Sequence, residues 1–124
     1  MQETNISFYL KANRIHIFVD ALRGLGNPSR ICFMIAENGE SLLIAPYEKR
    51  DFKSIGVPPD VYNGTGCMEV SSMKLCHIIA GLHHWDLDRS YRAPGKIHAE
   101  HNVAIFSLTE AEVIDRLNTS QTEL

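Results

Sequence analysis

The chain has 124 residues, 44% of them hydrophobic and 22% charged, which is the size and balance of one globular domain with a real core. Its 12 Lys and Arg against 15 Asp and Glu give a net charge of −3, which counts against a strongly basic nucleic-acid-binding surface but leaves room for a local patch. The start, Met1-Gln-Glu-Thr-Asn, has neither a positive region nor a long apolar stretch, and no apolar run approaches the ~20 residues that cross a bilayer, so a cytoplasmic protein without membrane contact is expected. Three cysteines without a Cys-x-x-Cys are expected to be reduced thiols, with Cys32 and Cys76 acting as small core residues.

Ile6, Phe8 and Leu10 alternate with Ser7 and Tyr9, the period of a half-buried strand. After a turn at Ala12-Asn13 the chain continues extended through residues 15–17. A brief helix over residues 20–25 is stopped by Gly26 and kept from resuming by Pro28. Residues 30–36 are apolar on both faces, which predicts a central strand. Asn38-Gly39 predicts a two-residue type I′ hairpin, with a return strand over residues 41–45 ended by Pro46.

Residues 47–53 are polar and fit a helical turn. Residues 54–67 hold three Gly and two Pro and read as a connector without regular structure. A short strand over 68–70 precedes a helix capped by Ser71 or Ser72 and running to about Leu82. Its Leu75, Ile78, Ile79 and Leu82 form one buried stripe. Trp85 is expected to close the core. Residues 89–93 are extended, Pro94-Gly95 is a turn, and residues 102–107 form another strand. Thr109 with Glu112 makes a capping box for a last helix, with Leu108 stapled against Val113. The tail, residues 118–124, is expected to fray.

At a constant offset of 61, His16-Ile17 falls on His77-Ile78 and Leu42-Leu43-Ile44 on Val103-Ala104-Ile105. The fold class expected is therefore α+β. It is a mostly antiparallel sheet or small barrel with short flanking helices, within one domain over residues 1–117. Residues 6–53 and 68–117 are candidate half-repeats of a strand-helix-hairpin unit in a pseudo-twofold arrangement. Two unrelated segments with similar element order would give the same pattern.

The run Ile17, Ala21-Leu22-Arg23, Leu25-Gly26, Arg30-Ile31-Cys32-Phe33 and, after the hairpin, Leu42-Leu43-Ile44-Ala45-Pro46 resembles the swapped-hairpin transcription factors of the AbrB and MraZ types. The resemblance covers residues 11–46, with a fainter echo over 75–108. Phe18 stands where that family has its proline, and the step from Leu22 to Gly26 is one residue shorter. It implies an interlocked homodimer that binds DNA without catalysis, with Lys11, Arg14 and Arg23 on phosphates. Arg89 and Arg92, in the least neutralised basic stretch, are further candidates, although such residues also serve simply to keep a hairpin soluble.

Two other readings belong to different classes. A protein–protein interaction or assembly module with this fold and no DNA binding suits the acidic balance. A metal- or small-ligand-binding protein would use the histidines, five of six of which lie between residues 77 and 101. His83, His98 and His101 are the candidate zinc ligands, with Cys76 or Glu100 to complete the set. No Cys-x-x-Cys or His-Glu-x-x-His frames them, and the plainer reading is surface and half-buried histidines. Cys67, in Gly64-Thr-Gly-Cys67, lies in a flexible loop that can expose a thiol, and any of several histidines could act as base, but the proximity that catalysis needs is not readable from sequence and an exposed cysteine in a glycine-rich loop is more often incidental. No residue here has to be catalytic.

Overall fold

The structure is a computed structural model that describes residues 2–115. Among the described residues nine strands form one curled antiparallel sheet, an α+β small open barrel with two α-helices. In chain order these are β1 (Gln2–Tyr9), β2 (Arg14–Phe18), α1 (Val19–Gly24), β3 (Arg30–Ile35), β4 (Ser41–Pro46) and β5 (Ile55–Gly56), followed by β6 (Cys67–Ser71), α2 (Met73–His83), β7 (Ser90–His98), β8 (Val103–Ser107) and β9 (Glu112–Val113). Across the sheet the order is β5-β3-β4-β8-β7-β1-β2-β6, with β9 beside the start of β7. Among the described residues no helix is long and apolar enough to cross a membrane.

The strand pattern places Ile6, Phe8, Ile15, Ile17, Ile44, Ala104 and Phe106 on one face, where all are fully buried. α1 and α2 cover that face through Leu22, Cys76, Ile79 and Ala80, which join the same core. Trp85 stacks on Tyr91 with ring centroids 4.4 Å apart and tilts against Phe8 at 5.4 Å, closing one end of the core as expected. Cys32 and Cys76 are buried and unpaired, also as expected.

Two hairpins at the sheet centre share one geometry. β1 leads to β2 through a 3₁₀ turn (Leu10–Ala12) and a left-handed Asn13, and β7 leads to β8 through a 3₁₀ turn (Ala99–His101) and a left-handed Asn102. Their registers correspond residue for residue, Ile6 opposite Ile17 in one and Gly95 opposite Phe106 in the other. β1 and β7 pair with each other, and each hairpin's second strand carries a further antiparallel strand, β6 or β4. The offset of 61 does not describe this relation, since it lays strand residues His16-Ile17 on residues His77-Ile78 of α2.

Several local expectations are corrected. Pro94-Gly95 is no turn but lies inside β7, where Asn5 faces Pro94. The β8 ladder on β7 ends at Gly95 and β9 resumes at Arg92, so the flank that changes partner coincides with the residue lacking an N–H. Gly95 is required because Phe106 fills the space of its side chain: a Cβ there would stand 2.4 Å from the ring. The Asn38-Gly39 hairpin closes from Ala36 to Ser41, a four-residue loop in which Gly39 but not Asn38 has positive φ, so it is not type I′.

Residues 30–35 are an interior strand only at their start: β4 pairs them on one side, and β5 covers only Arg30 and Ile31 on the other. The connector carries β5 and a 3₁₀ turn (Pro59–Asn63), and residues 47–53 are irregular up to a single hydrogen-bonded turn in which Ser54 N–H donates to the Asp51 carbonyl. Ser72 caps α2 by accepting from Leu75 N–H, but the buried stripe is Cys76, Ile79 and Ala80, leaving Ile78 and Leu82 41% and 51% exposed. Residues 109–115 are a turn and β9 instead of a helix, because Leu108 is buried and Val113 pairs with Tyr91. The tail lies outside the described residues.

Candidate functional site

The outer face of the sheet, opposite the helices, carries the side chains that the core does not use. Across β7, β1, β2 and β6 the cross-strand neighbours Arg92, Ser7, His16 and Glu69 make one polar row. Arg92 donates from Nε to the fully buried Ser7 Oγ at 3.0 Å and lies 5.4 Å over the Phe18 ring.

The chemically dense end of this row is at β6. Cys67, Glu69 and His16 share the outer face because residues two apart on a strand do, and β6 sits beside β2 in the register Phe18–Cys67 and His16–Glu69. His16 Nε2 is 3.0 Å from Glu69 Oε2, and His16 Nδ1 is 3.5 Å from Cys67 Sγ. A carboxylate only accepts, so Nε2–H donates to Glu69, and in the neutral ring Nδ1 is then the acceptor that faces the thiol. Arg14 pairs with the other Glu69 oxygen, and Tyr9 packs its ring 4.5 Å from the imidazole. Burial first, and then the Glu69 carboxylate, push the Cys67 thiol above its ordinary range, so it stays protonated until a base takes the proton. The imidazole stands between thiol and carboxylate, so these three groups form a chain rather than a claw around one ion.

A cleft of about 430 Å³ is lined by Asn5, Phe18, Asp20, Arg23, Gly66 and Arg92 among others, and so reaches the cross-strand partner and the chain neighbour of Cys67 but not Cys67 itself. A second cleft of about 530 Å³ lies over β7 and β8, with Glu3, Asp20, Lys96, His98 and Glu110 in its wall.

The basic residues singled out in the sequence are dispersed and mostly occupied. Arg14 faces Glu69, Arg23 donates to the carbonyls of Tyr62 and Gly64, Arg89 pairs with Asp115 at 3.7 Å, and Arg92 holds Ser7. Lys11 is exposed on the 3₁₀ turn after β1. Arg14 and Arg92 share the outer sheet face; Arg23 and Arg89 lie on α1 and before β7.

The histidine set does not converge. His83 is 2.8 Å from the Gly39 carbonyl, His98 ends β7, and His101 lies in the following 3₁₀ turn. Among the described residues no group of three or more His, Cys, Asp or Glu is placed to hold a metal ion. His16, the one histidine outside the cluster, is the one that meets a cysteine and a glutamate. The signal for it was alternation: Arg14, His16 and Phe18 are the outer-face residues of β2.

The free edge of β6 is the other distinctive feature. Val19 N–H bonds the Gly66 carbonyl and Ser72 N–H bonds the Asn13 carbonyl, which sets the parity of the β2–β6 ladder. Met68 and Val70 therefore bond to β2, and Cys67, Glu69 and Ser71 turn their backbone groups to the side where, among the described residues, no strand lies. Comparison with family models, with curated proteins and with solved structures finds no match.

Proposed function

We propose that this chain is a non-enzymatic assembly module whose β6 edge pairs with β6 of a second copy, continuing the sheet across a twofold axis. What carries the reading is the contrast between the two ends of the sheet. At one end β5 is two residues long, contains Gly56 and is followed by Pro58 and Pro59, the means by which an edge is kept from pairing. At the other end Cys67-Met-Glu-Val-Ser71 offers five residues with no Pro and no Lys. Its single charge, Glu69, is already satisfied by Arg14 and His16, so it does not guard the edge.

A twofold centred on Glu69 sets Cys67 opposite Ser71 of the other copy and makes about six backbone hydrogen bonds, all from groups now facing outward. The same antiparallel relation recurs inside the chain between β1 and β7, whose hairpins β1-β2 and β7-β8 match in register and turn. In this reading the dispersed arginines serve the fold and the interface rather than phosphates.

Sedimentation velocity tests it. The protein is expected to be a dimer at micromolar concentration, and Ser71→Pro, which removes an outward N–H without touching the bonds to β2, is expected to be a folded monomer. A monomeric wild type, or tight duplex-DNA binding that weakens steeply with salt, overturns it in favour of a monomeric or DNA-binding protein.

A further inference from the structure

The structure assigns a reactive-thiol site that the assembly reading does not need: we propose that Cys67 exchanges with low-molecular-weight disulfides, with His16 as its base and Glu69 as a positioning residue.

Three observations meet at this thiol. It is the single cysteine outside the core, since Cys32 and Cys76 are buried. It lies 3.5 Å from an imidazole nitrogen whose ring is fixed on the other side by Glu69 at 3.0 Å. Arg14 holds Glu69 in turn, and Tyr9 packs on the ring, so the imidazole is held from three sides. A nucleophile, a base within reach and a third group orienting the base are the parts that base-assisted thiol chemistry requires. Beside them, Phe18 and Gly66, respectively the cross-strand partner and the chain neighbour of Cys67, line the cleft of about 430 Å³, which has room for the departing half of a small disulfide.

The step balances without a further reagent. His16 Nδ1 takes the thiol proton, and the sulfur attacks one sulfur of the disulfide. The Cys67 S–S bond forms as the original S–S bond breaks. The leaving thiolate then recovers the proton from Nδ1, so one disulfide and one thiol enter and one mixed disulfide and one thiol leave. Ring and carboxylate end as they began, with Nε2–H on Glu69 throughout.

The test uses 5,5′-dithiobis(2-nitrobenzoate) on the native protein, with the adduct mapped by peptide mass spectrometry. One thiol per chain is expected to react quickly and to be Cys67, with Cys32 and Cys76 reacting only after denaturation. His16→Gln is expected to slow the reaction at least about tenfold at neutral pH, given the ordinary worth of a positioned base. His16→Ala is expected to regain part of the rate with added imidazole, a response that a merely structural histidine would not give. Glu69→Gln is expected to slow the reaction several-fold. Circular dichroism and melting curves of each variant establish that the fold is kept. Modification spread over all three cysteines, or a His16→Gln protein that reacts as fast as wild type, overturns the proposal.

Discussion

Replacing Gly95 by alanine tests the strand assignment at the place where the chain looks least like a strand. The Cβ of an alanine would stand 2.4 Å and 2.8 Å from two ring carbons of Phe106 and 2.9 Å from the Ile105 carbonyl oxygen. Phe106 is fully buried among the core residues, so its ring has little room to move, and the oxygen belongs to the neighbouring strand. Overpacking of this kind costs about 1–3 kcal/mol, and contact with backbone puts this site at the upper end. Alanine also restricts the unfolded chain, which offsets about 0.5–1 kcal/mol. The net loss expected is about 2 kcal/mol, a fall in melting temperature of roughly 6–10 °C for a domain of this size. Urea unfolding of wild type and Gly95→Ala, with the m-value checked for constancy, measures it. Phe106→Leu in the same background should recover part of the loss by freeing the space. If Pro94-Gly95 were a solvent-exposed turn, the substitution would cost almost nothing, and a change below about 0.5 kcal/mol would refute the packing described here.

Three further outcomes follow from the same geometry. Ser72→Ala removes the side chain that accepts from Leu75 N–H and is expected to lower stability by about 1 kcal/mol in the same urea assay. Arg14→Ala leaves Glu69 with His16 alone, so the two glutamates that meet at the proposed twofold repel. The dimer dissociation constant measured by sedimentation is expected to rise about two- to fivefold, an effect that fades at high salt. Cys76 is pushed by burial from its ordinary 9.0 up to about 11, so its contribution is fully present below pH 9 and is lost as pH rises through the folded value. Urea midpoints should decline between pH 9 and 11, and Cys76→Ala should show a shallower decline than wild type.

How much of this was legible in the sequence follows from where the physics is local. Alternation at Ile6, Phe8, Ile15 and Ile17, the cap at Ser72 and the stop at Gly26 depend on near neighbours, and the corresponding elements are where periodicity put them. Pro94 and Gly95 both disfavour strands, so local chemistry predicts a turn there. Whether they interrupt a strand depends on Phe106, eleven residues from Gly95, and on an unpaired flank, neither of which is a local property. The capping-box pattern at Thr109 to Glu112 was overridden in the same way by β7, which takes Val113 as a strand partner. α2 shows a third case: its apolar residues cover more than one stripe, and only the packing against the sheet selects Cys76 and Ile79 over Ile78 and Leu82.

The site divides along the same line. The crowd of histidines over residues 77–101 drew attention, yet an imidazole acts through what lies across the sheet from it. His16 acquires its role from Cys67 and Glu69, 51 and 53 residues away. Cys67 was singled out by its glycine-rich loop, and the pairing of β2 with β6 supplied the base. The value of each arginine likewise depended on acceptors that only the fold brings near: Glu69 for Arg14, two loop carbonyls for Arg23 and Ser7 for Arg92.

Pairing through β6 is tested most directly by the oligomeric state of the full chain with its β6 edge intact and altered. Sedimentation velocity on wild type, Ser71→Ala and Ser71→Pro across a concentration series measures it. The expected result is a reversible dimer for wild type and Ser71→Ala and a folded monomer for Ser71→Pro. A monomer in all three, or a Ser71→Pro dimer as tight as wild type, contradicts pairing through β6.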